Sequence, residues 1–417
     1  MPSSVKTLGF RELVVLTAAM MACQALAIDA MLPGLPTIGA ALGVSDANRA
    51  QWIVLAYIVG LGCGQLFWGM FSDRFGRRRI LLIGLGSYAL AALLCGFTTS
   101  FAALLAWRFL HGTAAASVVV ARSVIRDLYS GTRMARVMSL TFIVFLMSPV
   151  IAPSLGQLLL LWAPWRSLFL MIGLFGACVW CWSLLRLPET LHPEYRLPLK
   201  AARIAQALQL VLGHRAALFY SLAVAWVMGA LFAYVSMVQQ IFAETFHHAS
   251  WMPGLFAGCA AAMGVASYLN SRLVERLGMR VISHTGLLLL LAASLVHLLL
   301  ALLGADTLVS FTLLQAVTLA CVGLTVANFG TLAMEPMGAV AGIAASLQGF
   351  ISMTGGALSA ALIGRTFEGS TLPLALGSSL YALCAIGCVL VAEQGRLWRE
   401  PQRLAGYRAV ASSIEPL

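Results

Sequence analysis

The stretch WGMFSDRFGRRR, from Trp68 to Arg79, decides the fold. It places one carboxylate, four arginines and two glycines in a short link between two long apolar segments. A tight, charged turn between two membrane-length apolar runs is typical of a cytoplasmic loop between two transmembrane helices. This stretch therefore predicts an integral membrane protein.

The composition of the whole chain supports this prediction. Of its 417 residues, 61% are hydrophobic and only 10% are charged, whereas a soluble domain carries about 25% charged residues. The apolar residues form runs of roughly 18 to 28 residues, long enough to span about 30 Å of hydrocarbon as helices. The runs lack the alternation of a transmembrane barrel strand. The sequence therefore predicts an all-α integral membrane protein.

The basic residues are distributed unevenly about the predicted helices. With a cytoplasmic amino terminus, 22 of the 26 Lys and Arg residues fall on the cytoplasmic side, and Arg49, Arg166 and Arg365 fall outside. This asymmetry follows the positive-inside rule and predicts two cytoplasmic termini. We therefore interpret the net charge of +11 as a topology signal with contacts to lipid headgroups, not as a sign of nucleic-acid binding.

Twelve spans are predicted in two halves. Residues 1–187 form the first six-helix bundle, 188–215 a cytoplasmic link, and 216–417 the second six-helix bundle with a cytoplasmic tail. Part of the link, at 199–212, has the pattern of an amphipathic surface helix. The spans are 12–33, 50–71, 79–98, 101–121, 136–161, 166–187, 216–240, 251–273, 280–303, 307–330, 337–363 and 371–393.

The charged turn recurs in the second half. The sequence VERLGMR places an acid, Arg, Gly and Arg 202 residues beyond those of the first turn. Such a repeat indicates two parallel six-helix halves. The matching residues are Asp73, Arg74, Gly76 and Arg78 in the first half and Glu275, Arg276, Gly278 and Arg280 in the second.

Only two charged residues lie well inside the predicted spans, where a charge is costly and usually functional. Asp29 precedes Pro33 by one turn, which predicts a depth of about 5 Å below the outer boundary. It is either hydrated from outside or a desolvated carboxylate that exchanges a proton or pairs with a cationic drug. Arg108 either snorkels to headgroups or faces the same cavity as Asp29. His111, also within a span, supports no claim of proton relay by itself.

Other polar and helix-bending residues are weaker candidates. Pro149, Pro153 and Gly156 predict a bend in the fifth helix that seals one end of a cavity. Asn328 and Gln348 either line a substrate path or form interhelical hydrogen bonds. Aromatic candidates for the cavity wall are Trp52, Tyr57, Phe142, Phe232 and Tyr234.

The chain carries no motif for ATP binding or for catalysis. We find no P-loop, no serine nucleophile elbow and no zinc-protease helix. The Cys178–Cys181 pair has no second pair nearby, and His247 and His248 lack further metal ligands. We therefore predict no metal and no cofactor, a transporter and not an enzyme, and a proton gradient as the energy source.

Several motifs together resemble one branch of a known family. WGMFSDRFGRRR resembles the loop signature of the major facilitator superfamily. AIDAMLPGLP, WRFLHGTAAAS, RDLYSGTRMARVMS, SPVIAPSLGQ and AMEPMGAVAGIAASLQG are similar to stretches of its bicyclomycin/chloramphenicol-resistance drug:proton antiporters. Met31 departs from the branch pattern, which has an aromatic residue there, and Gln157 stands where a second glycine is usual.

The resemblance implies roles for particular residues. Asp29 would be the protonated, substrate-coupled carboxylate and Arg108 the arginine linked to proton transfer, in a fourth-helix motif with Gly112. Pro149, Pro153 and Gly156 would form the antiporter motif. A cytoplasmic conformational latch would comprise Gly69, Asp73, Arg74, Gly76, Arg77 and Arg78. We expect Asp73 to meet a helix dipole or an arginine such as Arg133 or Arg136.

The function implied is export of small hydrophobic or amphiphilic drugs in exchange for protons, by a monomer in the bacterial inner membrane. A transporter of a sugar, an amino acid or another small metabolite would share the fold. A transport-inactive receptor and a membrane-embedded enzyme are further alternatives.

Overall fold

The structure, a computed structural model, describes residues 9–44, 46–129, 131–196 and 201–398. Within these ranges the chain forms helices and no strands. The helices are α1 Phe10–Asp29, α2 Leu35–Ala41, α3 Ala47–Ala50, α4 Trp52–Phe75, α5 Arg77–Phe97, α6 Phe101–Ala115, α7 Val119–Leu128, α8 Gly131–Leu160, α9 Arg166–Arg186, α10 Ala201–Gly213, α11 Arg215–Gln240, α12 Met252–Leu277, α13 Met279–Leu302, α14 Leu308–Met334, α15 Ala341–Gly364 and α16 Leu372–Ala392.

The predicted fold class is confirmed. In the described residues, 11 helical stretches are long and apolar enough to cross a membrane. The 30-residue α8 coincides with the remaining predicted span. All twelve predicted spans are therefore helical, and the protein is an all-α membrane protein.

The first span is broken beside its carboxylate. α1 ends at Asp29, four residues before the predicted end, and a 3-10 turn at Leu32–Gly34 leads into α2. Proline lacks an amide hydrogen, so Pro33 stands at the start of a new turn, where no hydrogen bond is lost. The apolar stretch continues to Ala41, beyond the predicted end of the span.

The two halves pack through α4 against α15 and through α8 against α12. Glycines permit the close approach of α4 and α15. A β-carbon at Gly62 would lie 2.3 Å from Oγ1 of Thr354, and one at Gly349 would lie 1.7 Å from Oε1 of Gln65. At each of these glycines, the backbone of one helix therefore lies directly against a side chain of the other.

The link contains the predicted helix as α10. Its residue Val211 is 2% exposed and belongs to an apolar cluster with Met337, Ala344 and Leu347. The buried face of α10 therefore packs on the second half of the protein. Residues 197–200 of the link lie outside the described residues.

The two ends of the helix bundle differ in charge. We call the end with the turns at Gly76 and Gly278 the basic end, because most arginines lie there. The opposite end carries the turns at Leu42, Phe246 and Gly304, and we call it the distal end.

Candidate functional site

Asp29 lies at the break that follows α1. Its side chain is nearly buried, with 6% exposed, and no described residue forms a hydrogen bond or ion pair with it. α8 passes close by, since a β-carbon at Gly156 would lie 1.8 Å from the carbonyl oxygen of Ala30. Gly156, part of the predicted antiporter motif, therefore permits contact between α8 and the residue that follows Asp29.

Arg108 is fully buried on α6. It donates hydrogen bonds from Nε to the carbonyl oxygen of Ile53 at 2.8 Å and from Nη2 to that of Ala27 at 3.0 Å. Its Cζ lies 4.4 Å from the centre of the Tyr57 ring. Carbonyl dipoles and an aromatic face stabilise the guanidinium in place of a carboxylate. Arg108 thus bonds to α1 two residues before Asp29 without forming an ion pair with that carboxylate.

His111 is bonded to Arg108, so it is not an isolated histidine. Nδ1 of His111 lies 3.2 Å from Nη1 of Arg108. Arginine can only donate, so Nδ1 accepts and the proton of a neutral ring is on Nε2. Nε2 has no partner among the described residues, and the ring centre lies 4.3 Å from that of Tyr88. The sequence pattern did not reveal this Arg108–His111 pair.

The candidates for the cavity wall are mostly bonded within the protein. Tyr57 is fully buried, and its hydroxyl donates to the carbonyl oxygen of Gln24 at 3.3 Å. Asn328 donates to Oδ1 of Asn270 at 2.7 Å, and Gln348 donates to the carbonyl oxygen of Gly330 at 3.2 Å. Both amides form interhelical bonds, which is one of the two predicted alternatives.

The remaining aromatic candidates are also largely inside the protein. Phe232 and Tyr234 are 6% and 1% exposed, and Trp52 is half-buried. The side chain of Phe142 lies outside the described residues. α8 continues through Pro149 and Pro153 as one helix.

The first charged turn is built around Arg77. Gly76 separates α4 from α5 with a φ of +100°, a region that only glycine adopts readily. Arg77 is 4% exposed. It forms an ion pair with Asp73, donates to Oγ of Ser72 at 2.7 Å and donates from Nε to Oδ2 of Asp127 at 3.1 Å. Asp73 therefore meets Arg77, one turn along the chain.

A third carboxylate, which the sequence pattern did not reveal, closes this turn. Oε1 of Glu189, in the LPETL segment after α9, accepts from the backbone nitrogen of Arg77 at 2.8 Å. A β-carbon at Gly76 would lie 2.4 Å from Oε2 of Glu189, so a larger residue would displace it. Arg78 donates to the carbonyl oxygen of Leu184 at 2.8 Å. The turn is thereby tied to the end of the first half.

The other predicted latch residues lie on the surface or at the interface between halves. Arg74 is exposed. A β-carbon at Gly69 would lie 3.5 Å from Oγ of Ser346, so this glycine faces α15 of the second half. Arg133 and Arg136 are also exposed, and Arg136 lies over the ring of Phe10.

The second charged turn resembles the first, with a glycine of positive φ and an arginine that binds carboxylates, but it contains fewer charged residues. Gly278 has a φ of +80°. Arg280 pairs from Nε with Oε1 of Glu393 at 2.7 Å and from Nη2 with Oε2 of Glu335 at 3.9 Å. The hydroxyl of Tyr220 donates to the same oxygen of Glu393 at 2.6 Å. One arginine here binds two helix ends of the second half.

The distal end contains a cluster of amides that the sequence pattern did not reveal. Gln51 donates to Oε1 of Gln240 at 2.6 Å and to the carbonyl oxygen of Gly364 at 3.2 Å. Gln240 donates to Oδ1 of Asn48 at 3.0 Å. Asn48 donates to the carbonyl oxygens of Phe367 at 2.9 Å and of Arg365 at 3.4 Å. We call Asn48, Gln51 and Gln240 the amide cluster.

The amide cluster joins the two halves. Among the described residues, every hydrogen bond between the first and second halves is one of these five. The only signal in the sequence is glutamine at the ends of two spans. The halves are therefore closed against each other at the distal end by neutral groups.

The pattern of helices and turns has a counterpart in a known family. Residues 17–362 match the sequence model of the Major Facilitator Superfamily. The chain belongs to this superfamily. Its members are transporters and not enzymes, and this protein is a multi-pass membrane protein of that kind.

Named relatives extend the comparison. An uncharacterized MFS-type transporter of Bacillus subtilis, YdgK, is 30% identical over 86% of this chain and 89% of the relative. A bicyclomycin resistance protein homolog of Haemophilus influenzae is 33% identical over 60% of this chain and 63% of the relative. The multidrug resistance protein MdtL of Escherichia coli is 37% identical over 39% of this chain and 42% of the relative. The resemblance inferred from the motifs is confirmed.

Solved structures share the superfamily fold. The xylose transporter XylE of Escherichia coli, in a partially occluded inward open conformation, has a TM-score of 0.70 at 10% identity, over 92% of this chain and 97% of that chain. The human organic anion transporter MFSD10 has a TM-score of 0.63 at 21% identity, over 92% of this chain and 99% of that chain. At these identities the likeness concerns the fold alone.

Proposed function

We propose that this protein exports small hydrophobic or amphiphilic compounds, of the chloramphenicol or bicyclomycin kind, from the bacterial cytoplasm in exchange for protons. It acts as a monomer in the inner membrane, with both termini in the cytoplasm and the basic end facing inward. The proton gradient supplies the energy without a cofactor. The names of the relatives from Haemophilus influenzae and Escherichia coli support drug efflux.

One observation supports the proposal that transport is coupled to protons. Asp29 is a nearly buried carboxylate at the break in α1, and it has no cationic partner among the described residues. A carboxylate in such a place is neutral when protonated and strongly attracts a cation or a hydrogen-bond donor when ionised. The site can therefore hold a proton or a drug in turn. Arg108 keeps α1 in place on one side through Ala27, and Gly156 admits α8 on the other.

The exchange follows alternating access. In the outward-open form, Asp29 takes up a proton from the distal side. The neutral acid permits the halves to rock, so that the amide cluster closes the distal end and the basic end opens. Release of the proton to the cytoplasm leaves a carboxylate that favours drug binding, and the loaded protein then reopens outward. In this scheme a closed distal end belongs to the stages in which the protein is occluded or open to the cytoplasm.

The charged turn at Arg77 acts as a latch within the first half in this scheme. Its ion pairs join the ends of α4, α5 and α7 to the segment after α9. These helix ends then move as one body. Substitution of Asp73 by Asn is expected to slow the conformational cycle and to leave drug affinity largely unchanged.

Transport into inside-out membrane vesicles tests the proposal. Ethidium and chloramphenicol are supplied outside, and an acidic vesicle interior provides the gradient. Wild-type vesicles are expected to accumulate both compounds until a protonophore is added. The Asp29→Asn variant is expected to lose the gradient-driven part of the uptake. Glu368→Gln, which changes an exposed acid at the distal end, is the matched control.

The charge balance gives an independent measurement. With one proton exchanged per drug, export of neutral chloramphenicol moves one charge, whereas export of monocationic ethidium moves none. A membrane potential applied with valinomycin and potassium is therefore expected to alter chloramphenicol uptake only. Full gradient-driven uptake by Asp29→Asn would refute the role of this carboxylate. Uptake of sugars or amino acids without drug transport would favour the metabolite alternative.

A further inference from the structure

A second polar site lies at the distal end, between the halves. A cavity of about 320 Å³ is formed there by residues of both halves. Cavities from about 300 Å³ upward are typical of small-molecule sites. Its apolar wall comes from the first half and includes Leu35 and Val44, and its polar floor comes mainly from the second. Gln51, Ser236, Gln239, Gln240 and Glu244 supply the polar groups.

Gln239 lines the floor, and its amide oxygen has no partner among the described residues. Gln239 is 7% exposed, and its Oε1 is buried with no hydrogen-bond donor among the described residues. The oxygen and the nitrogen of the neighbouring Gln240 amide each have a partner in the amide cluster. An unsatisfied buried acceptor is destabilising, because it has lost its hydrogen bonds to water. A ligand that donates a hydrogen bond to this oxygen would remove that destabilisation.

The charge of the cavity favours a cation. Glu244 is the charged residue in its wall, at the exposed mouth. It belongs to a π-helical turn, Ile241–Thr245, that directly follows α11, and such turns are frequent at functional sites. Arg49 is next to the wall in sequence, but its Cζ lies 5.7 Å from the centre of the Phe101 ring on α6. Its charge therefore interacts with another part of the protein.

We propose that this cavity binds an organic ammonium ion with at least one N–H group. The ammonium donates to Oε1 of Gln239, Glu244 supplies the counter-charge, and the apolar part of the ligand packs against Leu35 and Val44. This site is separate from Asp29, which lies at the end of α1. Binding of the ammonium ion at this site does not require that the protein transports the ion.

Binding has a consequence for the transport cycle, and this part rests on the proposed function. The ligand touches both halves beside the amide cluster, since Gln51 and Gln240 line the same cavity. A ligand that binds only when the halves are close stabilises the closed distal end. Ammonium ions outside the cell would therefore slow the opening of the distal end and the release of substrate.

Binding of benzylammonium to the purified full-length protein in lipid nanodiscs tests the site. Isothermal titration needs no transport and reaches both faces of the protein. Benzyltrimethylammonium, which has the charge but no N–H, and benzyl alcohol, which has a donor but no charge, are the matched probes. We expect saturable binding of benzylammonium and about tenfold weaker binding of each matched probe.

Four variants assign the binding to residues. Gln239→Met and Glu244→Gln are each expected to weaken benzylammonium binding about tenfold. Glu368→Gln, outside the cavity, is expected to leave it unchanged. Asp29→Asn is expected to keep the part of the binding that the Gln239 and Glu244 variants weaken. Because Glu244 is exposed, Glu244→Gln tests the site even when Gln239→Met fails to fold.

Three results would overturn the proposal: no saturable binding of benzylammonium, equal binding by wild type and Glu244→Gln, or loss of binding in Asp29→Asn. The last result would place the ion at the proposed transport carboxylate and would leave the proposed function standing. Conversely, loss of proton-driven drug uptake has no bearing on binding at Gln239.

Discussion

The two ends of the helix bundle are held together by different chemistry. At the distal end, the amide cluster joins the two halves through neutral hydrogen bonds. At the basic end, Arg77 bonds within the first half and to Glu189 of the link, and Arg280 bonds within the second half. Neutral groups therefore connect parts that separate in the proposed cycle, and charged groups connect parts that stay together.

The difference has a physical reason. A neutral hydrogen bond contributes only about 0.5–1.5 kcal/mol net, because water replaces the partner when the bond opens. Breaking a buried ion pair by removing one partner costs about 3–5 kcal/mol. Bonds that open in each cycle need to be weak and replaceable by water. The ion pairs can be strong because the proposed rocking motion leaves them intact.

Removing the charge at the basic end is expected to have the largest effect on stability. Arg77→Met leaves Asp73 and Asp127 without their common cation. We expect the free energy of unfolding to fall by about 3 kcal/mol, measured by denaturant titration of the purified protein in micelles. The control is Arg79→Met, because Arg79 is exposed beside it. An equal loss in both variants would refute the bracing role of Arg77.

Removing the amides at the distal end is expected to change the conformation more than the stability. Gln51→Leu together with Gln240→Leu removes bonds that contribute about 2 kcal/mol, which raises the population of the distal-open form about thirtyfold. The distance between spin labels at Thr37 and Glu368, in a background without the nine native cysteines, reports the opening.

The matched control for this double variant is Gln348→Leu. Gln348 bonds to Gly330 within the second half, so its loss is expected to leave the label distance unchanged. If Gln348→Leu opened the distal end as far as the double variant does, the amide cluster would not be what holds the two halves together there.

The smallest effect is expected at a distal carboxylate that bonds within one half. Asp306 lies 3.0 Å from Nε2 of His297 and accepts hydrogen bonds from Thr371 and Ser310, each at 2.7 Å. Burial alone would raise the pKa of Asp306, but the bonds from these three residues outweigh it and hold the pKa below its usual value of 3.8.

The sign of the pH dependence follows from this shift. A carboxylate with a lowered pKa in the folded state contributes stability above its unfolded pKa and loses it as the pH falls through the folded value. Asp306→Asn is therefore expected to cost about 1 kcal/mol at neutral pH, a difference that decreases only in acid below about pH 4. Thermal unfolding from pH 3 to 8 measures it. An undiminished difference in acid would contradict the assignment.

The sequence predicted the charged residues of the site better than their partners. Asp29, Arg108 and Arg77 were found because a charge within or beside an apolar run is conspicuous. Asp127 and Glu189 were not found, since they lie 50 and 112 residues from Arg77. The bond between Gln51 and Gln240 joins residues 189 apart, and neutral amides at the ends of helices follow no pattern that periodicity detects.

The sequence by itself determined the twelve spans, the repeat of the charged turn and the superfamily, because hydropathy and turn chemistry are local properties. The stretch from Trp68 to Arg79 was sufficient to indicate the fold. Only the tertiary structure decided that Arg108 bonds to carbonyl oxygens beside Asp29, that the charged turns brace single halves and that amides close the distal end. Those pairings depend on which helices touch, and helices distant in the chain are brought together only by packing.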